Sequence, residues 1–220
     1  MATSASQYSL NVSYSNRAKA HGSPASCVAK LEYDFQLKSS GNNRVYCTYI
    51  SASKEHGAIA NSPIAFAKVC EATAGRQSNC HQMKHVMVAL PAEELSDFGR
   101  QRLVIDICDY VRQLFEGQPV FGAVHRPSDG EKNFHLHLSH GLRKIQMRSP
   151  TVYDLGERII SEQRPKIRVA AGLPATNHHE LRALRAQVAE LIAKSLAEEL
   201  ADPHLVERWR CGHLTLVKQV

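Results

Sequence analysis

Apolar and polar positions follow two different periods along this chain. Between residues 7 and 15 the apolar side chains stand at every second position, which is the period of a half-buried strand. Between residues 96 and 115 they recur at every third or fourth position, which is the period of an amphipathic helix. The chain is therefore predicted to combine strands and helices.

The remaining pattern predicts an α+β fold. The predicted elements are a helix over 24–37 opened by Ser23 and Pro24, a strand over 45–51, a short helix over 63–73, strands over 85–90, 120–126 and 134–140, and a long helix capped by Asn177. Strands in hairpins with helices between them indicate an antiparallel sheet with helices packed on it. Residues 145–175 are interpreted as irregular and basic, and the last eighteen residues carry no strong pattern.

Length and composition narrow the picture to one domain with a basic surface. At 220 residues and 43% hydrophobic content, we predict a single domain over 1–220, with a core over about 8–145 and a long C-terminal helix over 176–200. The net charge of +6 favours a polyanionic partner such as DNA or RNA. The six cysteines form no CxxC pair, which argues against a cysteine zinc site.

The sequence contains no pattern typical of membrane insertion or secretion. No apolar run approaches the roughly 18 residues that a membrane span needs. The first residues are polar and alternating, and they lack the apolar centre of a signal peptide. We therefore expect a cytoplasmic protein without a membrane span.

Three histidines are predicted to meet on one face of a hairpin. His135 and His137, in KNFHLHLSHGLR, stand two residues apart in a strand, so both side chains point to the same face. His125 ends the preceding strand, and a short turn would bring it beside them. Three neutral imidazoles around a metal leave positions open for substrate. In a chain with twelve histidines, a chance His-x-His pair is the competing interpretation.

Tyr33 is a candidate nucleophile because of its position on the predicted helix over 24–37. Val28, Leu31 and Phe35 form the apolar stripe of that helix, whereas Tyr33 falls about 140° away from Val28. Tyr33 is therefore either a surface residue or a side chain directed at something outside the helix's own core.

These segments resemble a known family of enzymes. The similar stretches are SPASCVAKLEYDF, VMVALPAEELSDFGRQRLV, AVHRPSDGEKNFHLHLSHGLR and LRALRAQVAELIAKSLAEELA, and they follow the family's order over about residues 8–210. They resemble the MobA/MobL-type plasmid mobilisation relaxases, which are HUH endonucleases. The resemblance implies that Tyr33 nicks single-stranded plasmid transfer-origin DNA, forms a 5′-phosphotyrosyl intermediate and lets the strand be rejoined during conjugative mobilisation.

The resemblance also implies a cofactor and partners. Mg²⁺ or Mn²⁺ would be held by His125, His135 and His137. Accessory mobilisation proteins and type IV secretion coupling proteins would be the protein partners, and the DNA would be the substrate.

Further site residues follow from the same resemblance. Arg143, Lys144 and Arg148 would contact the DNA backbone. Glu71 matches an acidic residue on the family's short helix, while His85 stands where relatives often carry glutamate, so either is a candidate general base.

Two other functions fit parts of the sequence. His137-Leu-Ser139 and His213-Leu-Thr215 resemble the paired motifs of 2H phosphoesterases, which act without metal on RNA ends or cyclic phosphates. A non-catalytic DNA-binding accessory protein of the relaxase fold is the third interpretation. Covalent capture of DNA separates the three, since only a relaxase forms a tyrosine adduct.

Overall fold

Seven strands and six helices make up the described part of the chain. The computed structural model describes residues 9–16, 26–36, 44–52, 54–73, 81–91, 94–127, 133–149 and 152–215. The strands are β1 (Leu10–Asn16), β2 (Val45–Ser51), β3 (His81–Leu90), β4 (Val120–His125), β5 (Phe134–Gly141), β6 (Arg143–Ser149) and β7 (Val152–Arg158). The helices are α1 (Cys27–Asp34), α2 (Pro63–Thr73), α3 (Asp97–Leu114), α4 (Pro165–Ala170), α5 (His178–Glu199) and α6 (Pro203–Thr215), and 3-10 turns span Lys54–Asn61 and Ile160–Glu162.

Five of these strands form one antiparallel sheet in the order β1-β3-β5-β4-β2. The hairpin of β4 and β5 pairs His125 with His135, and β5 pairs its His137 with Met87 of β3. The strands β6 and β7 form a separate two-stranded sheet. The predicted α+β fold with an antiparallel sheet and packed helices is confirmed.

The sheet is covered on both faces, and its two faces differ. On the back face, Leu136 and Leu138 pack with buried residues of α3 and α5. On the front face, Met83 and Phe121 pack with Leu31 of α1 and residues of α2. Since alternate residues of a strand point to opposite faces, the odd-numbered residues of β5 lie on the front face, under α1.

The ends of two elements differ from the sequence prediction. Helix α1 begins after Ser26, whose side chain accepts a hydrogen bond from the backbone of Ala29, instead of after Ser23. The helix ends at Asp34, before the predicted Leu37, because Gln36 has a left-handed backbone with φ of 47°. Residues 17–25, where the predicted cap falls, lie outside the described residues.

Two segments for which the sequence predicts no regular element contain strands or helices in the structure. The stretch 145–175, predicted as irregular, contains most of β6, all of β7 and α4. The last eighteen residues include all of α6, whose Trp209 is only 1% exposed and belongs to the back-face core. The prediction of an irregular segment over 145–175 was wrong because β6 and β7 order each other by pairing, which a local pattern does not reveal. Helix α6 packs on α5, and a short amphipathic stretch gives little signal without that partner.

No helix in the described ranges is long and apolar enough to cross a lipid bilayer.

Candidate functional site

The front face of the β4–β5 hairpin carries the three predicted histidines. His125 and His135 are directly opposed across the two strands, and His137 lies two residues further along β5. The ring centroids of His125 and His137 are 4.4 Å apart. The hairpin register therefore brings these side chains together, and we refer to His125, His135 and His137 as the histidine cluster.

Asp34, to which no sequence motif assigns a role, anchors the end of α1 on this cluster. His125 donates from Nε2 to the backbone carbonyl oxygen of Asp34 at 2.6 Å. Nδ1 of His137 lies 3.2 Å from Oδ1 of the Asp34 side chain, and Lys30 forms an ion pair with the same oxygen. Asp34 is only 1% exposed. The spacing of Lys30 and Asp34, four residues apart on a helix that carries Tyr33, was the available signal in the sequence.

Burial sets the charge state of the cluster. Desolvation lowers the pKa of His137 to about 2, and the Lys30 ammonium and the neighbouring imidazoles act in the same direction. Desolvation also raises the pKa of Asp34, while Lys30 opposes that shift. His137 is therefore a neutral imidazole near pH 7, which is the form that ligates a metal or exchanges a single proton.

Tyr33 lies beside the cluster with its side chain open to solvent. The side chain is 61% exposed, and its ring centroid is 6.0 Å from that of His125 in an edge-to-face arrangement. Nζ of Lys30 lies 5.4 Å from the centre of the same ring. The helical position that kept Tyr33 off the apolar stripe thus directs it toward the cluster, at a place that a large substrate can reach.

The two candidate bases occupy very different places. His85 lies on the front face of β3, with Nδ1 2.7 Å from Oγ of Ser139, and it lines a pocket of about 150 Å³ together with Asp34 and His137. Glu71 instead accepts a hydrogen bond at 3.0 Å from the backbone N–H of Val28, at the first turn of α1. Val28 and Asp34 are separated by about 9 Å of helix. The structure brings His85 to the cluster and leaves Glu71 at the other end of α1.

Glu71 is expected to stabilise the fold by holding the start of α1. In Glu71→Ala the backbone N–H of Val28 loses a charged acceptor, so the free energy of unfolding should fall by about 1.5–3 kcal/mol. Urea unfolding followed by circular dichroism measures this change. The exposed Glu190→Ala on α5 is the control and should change stability by less than about 0.5 kcal/mol. Equal effects of the two variants would contradict the anchoring role.

The predicted DNA-contacting residues lie on β6, which belongs to the separate two-stranded sheet. Arg143 donates to the backbone carbonyl oxygen of Gly156 at 3.0 Å. Lys144 lies 3.1 Å from a carboxylate oxygen of Glu116, and Arg148 lies 3.2 Å from Asp154. Eight residues separate His135 from Arg143, which corresponds to roughly 25 Å of extended chain. These residues therefore lie far along the chain from the cluster, and their contact with DNA stays a prediction.

The histidine cluster offers suitable donors for a divalent ion, although their present arrangement is not that of a metal centre. Among the described residues, no three His, Cys, Asp or Glu side chains are placed so that they could hold an ion together. Nε2 of His125 is engaged with the Asp34 carbonyl. The donor types do fit, since the imidazole of His137 is neutral and Oδ2 of Asp34 is buried without a hydrogen-bond partner in the described ranges. His125 would bind an ion through Nδ1 while Nε2 keeps its bond to that carbonyl, as metal-binding histidines commonly do.

Comparison with known proteins gives a match in structure and none in sequence. No protein-family model and no curated protein sequence matches the chain. A solved structure that concerns the molecular basis of vancomycin resistance transfer in Staphylococcus aureus, a plasmid transfer relaxase, aligns with a TM-score of 0.59. The alignment covers 88% of this chain and 94% of that chain at 16% sequence identity. The chain has a relaxase-type fold.

The five-stranded sheet separates the two motifs that resemble 2H phosphoesterases. His137 and Ser139 lie on the front face of the sheet. Residue 213 belongs to α6, which packs with α5 against the back face. The sheet itself lies between the first motif and the backbone of residue 213.

Proposed function

We propose that this chain is a DNA relaxase that nicks and rejoins single-stranded plasmid transfer-origin DNA. The observation that carries the proposal is the exposed Tyr33, which lies 6.0 Å from His125 between ring centroids and stands over the predicted histidine cluster. The relaxase-type fold supports it. Such an enzyme would work in the cytoplasm with accessory mobilisation proteins and type IV secretion coupling proteins.

The chemistry begins with the phenol of Tyr33. Its oxygen attacks the scissile phosphorus, a phosphorus–oxygen bond to tyrosine forms, and the bond to the 3′ oxygen breaks. The phenol loses a proton and the 3′ oxygen gains one, so no net proton is consumed. The product is a 5′-phosphotyrosyl link and a free 3′-hydroxyl, and the reverse reaction rejoins the strand because the phosphodiester energy is conserved.

The residues around Tyr33 favour an anionic substrate. The ammonium of Lys30 lies 5.4 Å from the Tyr33 ring centre, on the side of α1 that faces the cluster. A phosphate bound there would interact with the ammonium group of Lys30, which also forms an ion pair with Asp34. His125, His135 and His137 would hold Mg²⁺ or Mn²⁺, which would supply charge neutralisation at the phosphate.

Binding of single-stranded DNA by the Tyr33→Phe protein is expected to weaken steeply with salt. Contacts to three phosphates would reduce affinity about 20-fold between 50 and 200 mM salt, because each releases condensed counterions. Fluorescence anisotropy at several salt concentrations gives the slope. Lys144→Ala should make the slope shallower by about 0.7, whereas the control Arg210→Ala on α6 should leave it unchanged. A flat dependence in the parent protein would contradict a phosphate-based interface.

A direct test of the activity uses labelled single-stranded transfer-origin DNA. The protein is incubated with that DNA and Mn²⁺, and the products are run on a denaturing gel. An SDS-resistant protein–DNA adduct is the expected result. Binding of the same DNA without any adduct would instead identify a non-catalytic DNA-binding protein of this fold.

A further inference from the structure

A single residue of α1, Asp34, contacts two of the three histidines in the histidine cluster. Its backbone carbonyl oxygen accepts a hydrogen bond from Nε2 of His125 at 2.6 Å. Its side-chain Oδ1 lies 3.2 Å from Nδ1 of His137. His125 ends β4 and His137 lies within β5, so Asp34 joins the end of α1 to both strands of the hairpin.

The local structure of α1 does not favour a carboxylate at position 34. The C-terminal end of a helix carries a partial negative charge, so an acidic side chain in the last turn is disfavoured. Burial adds to this, because the Asp34 side chain is only 1% exposed and a buried charge costs several kcal/mol unless it is paired. Lys30 pairs with Oδ1, whereas Oδ2 has no hydrogen-bond partner in the described ranges. A carboxylate kept in such a place indicates a role outside the helix, and the side chain that it faces on the sheet is His137.

The two contacts match the way in which proteins orient histidines around a metal ion. A histidine that binds an ion through one ring nitrogen almost always donates the N–H of its other nitrogen to a carboxylate, a backbone carbonyl or a water molecule. Asp34 offers the carbonyl to His125 and the carboxylate to His137. With those nitrogens held, His125 would bind the ion through Nδ1 and His137 through Nε2. Asp34 thus sets the orientation of two of the three expected ligands.

The nucleophile and the histidines depend on the same helix end. Tyr33 directly precedes Asp34, and its ring packs edge to face on that of His125. Helix α1 ends at Asp34, so no further turn separates the two side chains from the hairpin. By thermodynamic linkage, contacts that raise the ion affinity when this end is docked are themselves strengthened by the ion to the same degree.

We propose that Asp34 is a positioning residue that couples ion binding by the histidine cluster to docking of the helix end that carries Tyr33. The proposal rests on the proposed relaxase function, in which that cluster holds Mg²⁺ or Mn²⁺. A bound ion holds the end of α1 against the hairpin and keeps Tyr33 over the scissile phosphate. When the helix end detaches, His125 and His137 lose their acceptors and the affinity for the ion falls.

Titration calorimetry with Mn²⁺, in the absence of DNA, compares the parent protein with Asp34→Ala and Asp34→Asn. Asp34→Ala removes the acceptor for His137 and leaves the backbone carbonyl in place, so the affinity should fall about tenfold, as for the loss of one orienting contact. Asp34→Asn keeps an oxygen there. Because a neutral acceptor forms a hydrogen bond about half as strong as a charged one, Asp34→Asn should bind only about threefold more weakly than the parent. Both variants remove the same charge and the same ion pair with Lys30, so their difference isolates the orienting contact.

Hydrogen exchange of the amides in α1 measures the docking of the helix end. Saturating Mn²⁺ should slow exchange at residues 31–34 about 100-fold in the parent, because two orienting contacts worth about tenfold each are lost on detachment. In Asp34→Ala the slowing should drop to about tenfold, which is the same factor as the loss of affinity. The amides of α5, on the back face, should not respond to the ion. Glu190→Ala removes one exposed negative charge from α5 and should keep the parent values of affinity and exchange.

Melting curves followed by circular dichroism show whether each variant is folded. Equal ion affinity of the parent and a folded Asp34→Ala protein, or an equal loss in Asp34→Asn and Asp34→Ala, would overturn the proposal. Two results on the parent alone would also overturn it, namely no binding of Mn²⁺ or no effect of Mn²⁺ on exchange in α1. A protein that shows the coupling but never forms a DNA adduct would support the role of Asp34 while the nicking function failed.

Discussion

Replacing Tyr33 with phenylalanine is expected to reduce cleavage of transfer-origin DNA by at least about 10⁴-fold. The substitution removes a single oxygen, the atom that would attack phosphorus. The ring and its edge-to-face contact with His125 are kept. Because the side chain is 61% exposed, the loss of the hydroxyl should leave the stability of the fold almost unchanged.

The rate of nicking under single-turnover conditions measures this loss. Tyr110→Phe is the matched control, since Tyr110 lies on α3 against the back-face core and its replacement should leave the rate unchanged. Cleavage by Tyr33→Phe at the parent rate would show that Tyr33 is not the nucleophile. DNA binding should survive in both variants, which separates a chemical defect from a binding defect.

Replacing His135 with alanine is expected to lower the affinity for Mn²⁺ by at least about 100-fold. Loss of a residue that only orients a metal ligand through a hydrogen bond typically lowers the metal affinity about 10- to 100-fold. Loss of a ligand itself should lower the affinity more. His135 lies directly opposite His125 in the hairpin, and its removal leaves two imidazoles on the front face. Two neutral nitrogens cannot replace a three-ligand site.

Titration calorimetry with Mn²⁺ gives the affinities directly. His81→Ala is a suitable control, because His81 is an exposed histidine at the far end of β3, where it stacks on Tyr14 at 4.4 Å between ring centroids. The control should bind like the parent protein. Equal affinity of the parent and His135→Ala would exclude the histidine cluster as the metal site.

The sequence was most informative where strand periodicity and a hairpin act together. The two-residue spacing of His135 and His137 sets their common face, and an antiparallel hairpin then places His125 opposite His135. The helical position of Tyr33 was also informative, because a residue outside the apolar stripe of α1 points away from the helix's own core. The contact between α1 and the hairpin does not follow from these local rules alone. The family resemblance was needed to predict it.

Other parts of the site depend on long-range packing that a local pattern does not encode. Asp34 joins the cluster because α1 ends directly over His137, and that position is set by the front-face core around Leu31. Glu71 looked equivalent to His85 as a base, yet the packing of α2 turns it toward the start of α1. The strands β6 and β7 likewise depend on each other, because each forms its ladder of hydrogen bonds with the other.

Locating the covalent bond between DNA and protein would test the nicking chemistry of Tyr33 at the atom concerned. The protein is incubated with single-stranded transfer-origin DNA and Mn²⁺, the adduct is digested with nuclease and protease, and the modified peptide is sequenced by mass spectrometry. We predict a nucleotide attached through a 5′-phosphate to Tyr33, within the segment that forms α1. A nucleotide attached to any other residue, or no adduct while His125, His135 and His137 bind the ion, would contradict this prediction.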